Sequence, residues 1–255
     1  MTTSLAPAGL AIVTGTSAGI GQHVALRLLD RGWEVVGLAR RATPVSHSHY
    51  HHLAIDLRDT AALETVAAER LEPLIRDPRW ERIGLVNNAA ATDRLGPLER
   101  VVAAALAATH AVNTVAPVAL MALVSRATPR NTPVRIVNVS SGAATMAFPG
   151  LGVYCASKAA LRMAGMVMAE EWKSEVPHAP TRADAGILSY EPGIVDTEMQ
   201  VSARSYSPAE FPWVATFENF QAQGMLAPPE VPAKDIVAFL DAKHVAPFAE
   251  SRLGG

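Results

Sequence analysis

The sequence predicts a doubly wound α/β domain, with helices on both faces of a parallel sheet. Three observations carry that expectation. Short, almost purely apolar runs such as Leu10–Thr14 recur along the chain. They alternate with longer stretches of helical period, as Ile20, Val24 and Leu28 show after the first run. A glycine-rich turn, Thr14-Gly-Thr-Ser-Ala-Gly-Ile-Gly21, joins that first run to its helix. Strands buried on both faces read as continuous apolar runs, and strand–helix alternation implies right-handed crossovers between parallel strands.

The elements follow in order. Leu10–Thr14 is the first strand, and its helix runs from Gly19 to Asp30. Trp33–Leu38 reads as the second strand and His52–Ile55 as the third, with a helix from Thr60 to Ile75 behind them. Ile83–Asn87 is the fourth strand, and an alanine-rich helix is expected from Leu98 to Ala127. Pro133–Val139 is the fifth strand, Val153–Lys173 the next helix and Ala185–Tyr190 the sixth strand. The pattern then breaks. Pro192–Pro229 is irregular and aromatic, a short helix covers Pro232–Leu240, and Lys243–Gly255 gives only a weak signal for a seventh strand.

Composition narrows the function. The 255 residues fit one domain over 1–255, with 197–229 as its substrate-binding loop region. Hydrophobic residues make up 49% and charged ones 18%, too apolar for a disordered chain. A net charge of −2 lacks the basic excess that nucleic acid or an anionic membrane requires, so neither is an expected partner. The single cysteine, Cys155, cannot form an internal disulfide, which fits a reducing cytosol. Met1–Gly9 has no Lys or Arg, so no charged leader is expected there. The most apolar stretch, Val101–Leu123, is interrupted by His110, Asn113 and Pro117, short of the roughly 18 residues that span a bilayer. The expectation is a soluble, cytoplasmic protein acting on a small molecule.

Two clusters of residues carry chemistry. Gly15, Gly19 and Gly21, with Ser17 and Ile20 among them, let the backbone approach a pyrophosphate at a helix start, as in Rossmann-like dinucleotide folds. Tyr154 and Lys158 lie four residues apart, on one helix face, where the ammonium is expected to lower the phenol toward neutrality. Ser141 closes the preceding strand, 13 residues before that tyrosine. At the end of the second strand stand Arg40 and Arg41, where a carboxylate would select NAD; two guanidiniums favour the 2′-phosphate of NADP(H). His47, His49, His51 and His52 have no acid among them and read as a solvated loop, with no metal expected. Tyr206, Phe211, Trp213, Phe217 and Phe220 hold five of the 14 aromatic residues. With Met199, Met225 and Phe148 they either roof an apolar pocket or pack their own segment.

In this order the motifs resemble those of the short-chain dehydrogenase/reductase family over nearly the whole chain. The resemblance implies that Asp56 and Leu57 hold the adenine. It matches Asn87-Asn88-Ala89-Ala90 to a cofactor-side motif that usually ends in glycine, and Pro192-Gly-Ile-Val-Asp-Thr197 to a nicotinamide cradle. Asn88, Ala89, Pro192, Gly193, Val195 and Thr197 are therefore expected at the cofactor. Asn113, Ser141, Tyr154 and Lys158 are expected as the catalytic tetrad, Asn113 holding a water and Lys158 the ribose. Ser140–Ala144, Tyr154–Lys158 and Pro192–Gln200 look like the benzil reductase and sepiapterin reductase branch, whose members are NADPH-dependent carbonyl reductases. Homodimers or homotetramers are common in the family, through two long helices. An NAD-linked alcohol or hydroxysteroid dehydrogenase, and a non-catalytic dinucleotide sensor, share the fold and stay open as alternatives.

Overall fold

The computed structural model describes residues 9–92, 95–173 and 181–254. Residues 1–8, where no leader was expected, and Gly255 lie outside the described residues. Seven parallel strands form one sheet in the order β3-β2-β1-β4-β5-β6-β7. They are β1 (Leu10–Thr14), β2 (Glu34–Ala39), β3 (Tyr50–Ala54), β4 (Ile83–Asn87), β5 (Val134–Val139), β6 (Ala185–Glu191) and β7 (Phe248–Arg252). The helices are α1 (Gly19–Leu29), α2 (Thr60–Val66), α3 (Glu72–Ile75), α4 (Ala103–His110) and α5 (Ala116–Ala127). After them come α6 (Gly152–Lys173), α7 (Glu198–Arg204), α8 (Val214–Ala222) and α9 (Glu230–Asp241).

Alternation along β1 sorts the core into two layers. Leu10 and Ile12 join the layer under α5 and α6, while Ala11 and Val13 join the layer under α1 and α9. Because β1 has β2 on one side and β4 on the other, the chain order reverses there. That opens a crevice beyond the strands' carboxyl ends, where ligands bind in open α/β sheets.

Three expectations need correction. The long helix does not begin at Leu98: Leu98–Arg100 is a 3₁₀ turn after Pro97, and the β-branched Val101 and Val102 are extended. From Ala103 to Ala127 the helix is continuous, passing through a π-helical turn at Ala111–Val115. Pro117 has no N–H to offer the carbonyl of Asn113, four residues back, and the wider turn precedes it. His110, Asn113 and Pro117 therefore do not break the segment. Among the described residues it is the one helix apolar and long enough to cross a membrane, and 50% of that window is buried within the fold. Third, the histidines have an acid after all: Glu34 on β2 pairs with His49 at 3.0 Å and also with His51. β3 also starts earlier than expected, at Tyr50, whose hydroxyl lies 2.9 Å from Thr16 Oγ1. The seventh strand is present, parallel to β6 with Ile187 opposite Phe248.

Candidate active site

A cavity of about 580 Å³ lies along the carboxyl ends of the strands. Its first half is built on the turn after β1. Gly15 and Gly19 have φ of +76° and +59°, the left-handed region that glycine tolerates. A Cβ on Gly21 would collide with the Gly15 carbonyl and stand 2.5 Å from Asn88 Nδ2. Asn88 holds the turn, donating from Nδ2 to Thr14 O at 2.9 Å. Thr14 Oγ1 in turn accepts from the backbone N–H of Asn88 (2.9 Å) and Ala89 (3.0 Å). The cap of α1 is Ala18, which has no side-chain acceptor for the helix's first N–H groups. Close backbone and uncapped donors fit a pyrophosphate, so the residues present suit a dinucleotide.

Ser17, Ile20, Asp56 and Leu57 line this half, as does Ala90 in the place of the usual glycine. Asp56 Oδ1 accepts from Arg58 N at 3.0 Å, which fixes its orientation. The two arginines after β2 part company. Arg41 Nη2 donates to both carboxylate oxygens of Glu198, each at 2.9 Å. Arg40 is exposed on the cavity rim and forms no hydrogen bond or ion pair with a described residue.

The other half centres on β5 and α6. Ser141 follows β5, and its Oγ accepts from Ala143 N at 3.2 Å. Its hydroxyl also lies within hydrogen-bonding reach of Tyr154, which draws the phenol's pKa down. Burial outweighs that bond and pushes the phenol up to about 12. Lys158 is 3% exposed and burial lowers it to about 8. The expected depression of the tyrosine is therefore not found in the cofactor-free site. Lys158 Nζ stands 5.6 Å from the Tyr154 ring centroid and gives its bond to Val139 O at 2.7 Å. Desolvation then dominates both groups.

Asn113 is fully buried in the π turn. Its Oδ1 accepts from Ala91 N at 2.7 Å, and its Nδ2 donates to Ala91 O (2.8 Å) and Ser157 Oγ (3.0 Å). It thereby ties the segment after β4 to α6. The Pro192–Thr197 segment leaves β6 through Gly193, at φ +73°, and is pinned by bonds between Ile194, Asp196 and Ala227. Pro192, Gly193, Val195 and Thr197 all reach the cavity.

The aromatic residues divide. Phe148, Trp213, Phe217 and Phe220 line the cavity with Met199, and Phe148 meets Trp213 edge-on at 5.7 Å. Phe211 is fully buried in a small core with Tyr206, and neither it, Tyr206 nor Met225 lines the cavity. Sequence reasoning missed Glu198, the partner of Arg41, and Glu191, a cavity-lining carboxylate 4.0 Å from Arg252. Glu198 follows Thr197 directly, but its pairing across 157 positions leaves no local signal.

Residues 9–207 match the family model for short chain dehydrogenase. The chain is 33% identical over 236 residues to the benzil reductase ((S)-benzoin forming) of Bacillus subtilis (strain 168), spanning 91% of this chain and 93% of that one. To the benzil reductase ((S)-benzoin forming) of Bacillus cereus it is 30% identical over 244 residues, spanning 91% and 94%. Among solved structures, a short-chain dehydrogenase/reductase from Burkholderia vietnamiensis superposes with a TM-score of 0.66 at 31% identity, over 80% of this chain and 94% of that one. A short-chain dehydrogenase/reductase from Saccharomyces cerevisiae shares the fold, with a TM-score of 0.80 at 23% identity over 97% and 96%. The chain belongs to the short-chain dehydrogenase family, on its benzil reductase-like branch, and is an oxidoreductase of C=O and CH–OH groups that uses a nicotinamide dinucleotide.

Proposed function

We propose that this protein is an NADPH-dependent carbonyl reductase acting on ketones or diketones with aromatic or bulky apolar flanks. The observation that carries the reading is the place of Ser141 and Tyr154, where the glycine-turn half of one cavity meets its aromatic half. Bound NADPH supplies a hydride to the carbonyl carbon. Tyr154 stays protonated at neutral pH, since burial holds its phenol high, and gives that proton to the carbonyl oxygen. Ser141 hydrogen-bonds the same oxygen and orients it. Lys158 holds the nicotinamide ribose and, as a cation, steadies the phenolate left behind. Asn113 positions a water in the proton relay. Its own amide is taken up by Ala91 and Ser157, so it supports α6 as well.

Arg40 is the cation available to a 2′-phosphate, because Arg41 is engaged by Glu198. Residues 197–229 form the substrate loop region, whose Trp213 and Phe217 exclude water from the carbonyl. Leu106, Val115, Met163 and Val167 leave apolar surface on α4, the π turn and α6, which suits a homodimer or homotetramer. The charge balance suits a cytoplasmic enzyme without nucleic-acid or membrane partners.

The test is a carbonyl panel, from benzil-like diketones and pterins to small aliphatic ketones, assayed with NADPH and NADH. We expect NADPH oxidation with the aromatic diketones. In Arg40→Ala, NADPH affinity should fall by roughly 10-fold or more while NADH is unmoved, since a charge-assisted bond is worth about 1.5–3 kcal/mol. A wild type that prefers NADH and small alcohols would establish the NAD-linked dehydrogenase instead, and one that binds cofactor but turns over no carbonyl would be a sensor.

A further inference from the structure

The Arg41–Glu198 pair has a position that its surface exposure conceals. Arg41 follows β2, at the adenosine end of the cavity, whereas Glu198 opens α7 beyond the nicotinamide segment. Residue 197 reaches back over the turn after β1: Thr197 Cγ2 is 3.4 Å from where a Cβ on Gly19 would stand. The two carboxylate–guanidinium bonds therefore close a strap across the mouth of the dinucleotide cleft, above the glycine turn. Both side chains are more than half exposed, so the pair is weakly held and open to competition.

We propose that Glu198 is a positioning residue for cofactor choice, competing with the cofactor's 2′-phosphate for the Arg41 guanidinium. This rests on the NADPH reading above and adds a residue to it. A phosphate carries up to two negative charges and presents its oxygens to the same planar fork that now holds the carboxylate. NADPH can therefore displace Glu198 from Arg41, whereas NADH has no group to offer there. The exchange ties the adenosine end to α7, whose Met199 and Ala203 line the substrate side of the cavity. By thermodynamic linkage, whatever loosens Glu198 from Arg41 favours NADPH.

The experiment measures dissociation constants of NADPH and NADH by fluorescence titration of the intact protein without substrate. The variants are Glu198→Gln, Glu198→Ala, Arg41→Ala and the Glu198→Gln/Arg41→Ala pair. Both Glu198 variants should tighten NADPH by about two- to five-fold, the strength of an exposed ion pair, and leave NADH unchanged. In the Arg41→Ala background the Glu198→Gln effect should vanish, as a shared partner requires. Tightening of both cofactors alike would overturn the proposal, because it would reflect general charge rather than competition. So would unmoved NADPH affinity in the Glu198 variants alongside a loss in Arg41→Ala. A wild type that binds NADH more tightly, with NADPH affinity indifferent to Arg40→Ala and Arg41→Ala, would mean that the NADPH reading itself had failed.

Discussion

Lys158 gives a 2.7 Å hydrogen bond from Nζ to the backbone carbonyl of Val139, the last residue of β5. An ammonium that is 3% exposed thus hangs from the strand that delivers Ser141, and not from the tyrosine one turn away. Burial without a counter-charge lowers it to about 8 from the ordinary 10.5. Between those values the unfolded chain holds a proton that the folded chain has released, so stability rises with pH.

The first prediction follows from that sign. The penalty for burying the charged lysine is complete below about pH 8 and is relieved as pH climbs toward 10.5. Denaturant melts of the cofactor-free protein at pH 7 and pH 9 should differ by about 1 kcal/mol in favour of pH 9. In Lys158→Met this rise should be absent. Equal slopes in the two proteins would mean that Lys158 does not titrate in that window.

Tyr154→Phe removes one hydroxyl and leaves the ring and Lys158 in place. Turnover should fall by roughly 10²–10⁴-fold, the usual worth of a general acid, while NADPH still binds. Retention of more than about a tenth of kcat would assign the proton to another group.

The aromatic residues should separate by role. Trp213→Ala and Phe217→Ala should raise KM for bulky aromatic ketones more than for small aliphatic ones, because these rings hold substrate by apolar packing alone. Phe211→Ala should instead cost about 3–5 kcal/mol of stability, since its ring is fully buried. Thermal melts and paired kinetics distinguish the two; a kinetic effect without destabilisation at Phe211 would place its ring in the cavity.

Much of the fold was legible in the sequence, for a physical reason. β1, β4 and β5 are buried on both faces, so each residue carries the apolar signal. β7 is an edge strand with the sequence Phe-Ala-Glu-Ser-Arg, half of it in water, and its signal is correspondingly weak. The glycine turn and the Tyr154–Lys158 spacing were local patterns and could be read directly. Their electrostatics could not. Spacing shows that two side chains share a helix face, but the pKa values follow from desolvation by a whole fold. The aromatic cluster shows the same limit: only packing tells that Phe211 is core while Trp213, two residues on, lines the cavity.

The central claim is transfer of hydride from NADPH to a carbonyl carbon with the proton supplied by Tyr154. Its most direct test uses NADPH deuterated at the transferring position of the nicotinamide, with an aromatic 1,2-diketone as substrate and the product identified by mass spectrometry and NMR. The wild type should form a hydroxyketone carrying one deuterium on the new carbinol carbon, and Tyr154→Phe should not. Product without deuterium at that carbon, or labelled product formed equally well by the tyrosine variant, would contradict the claim.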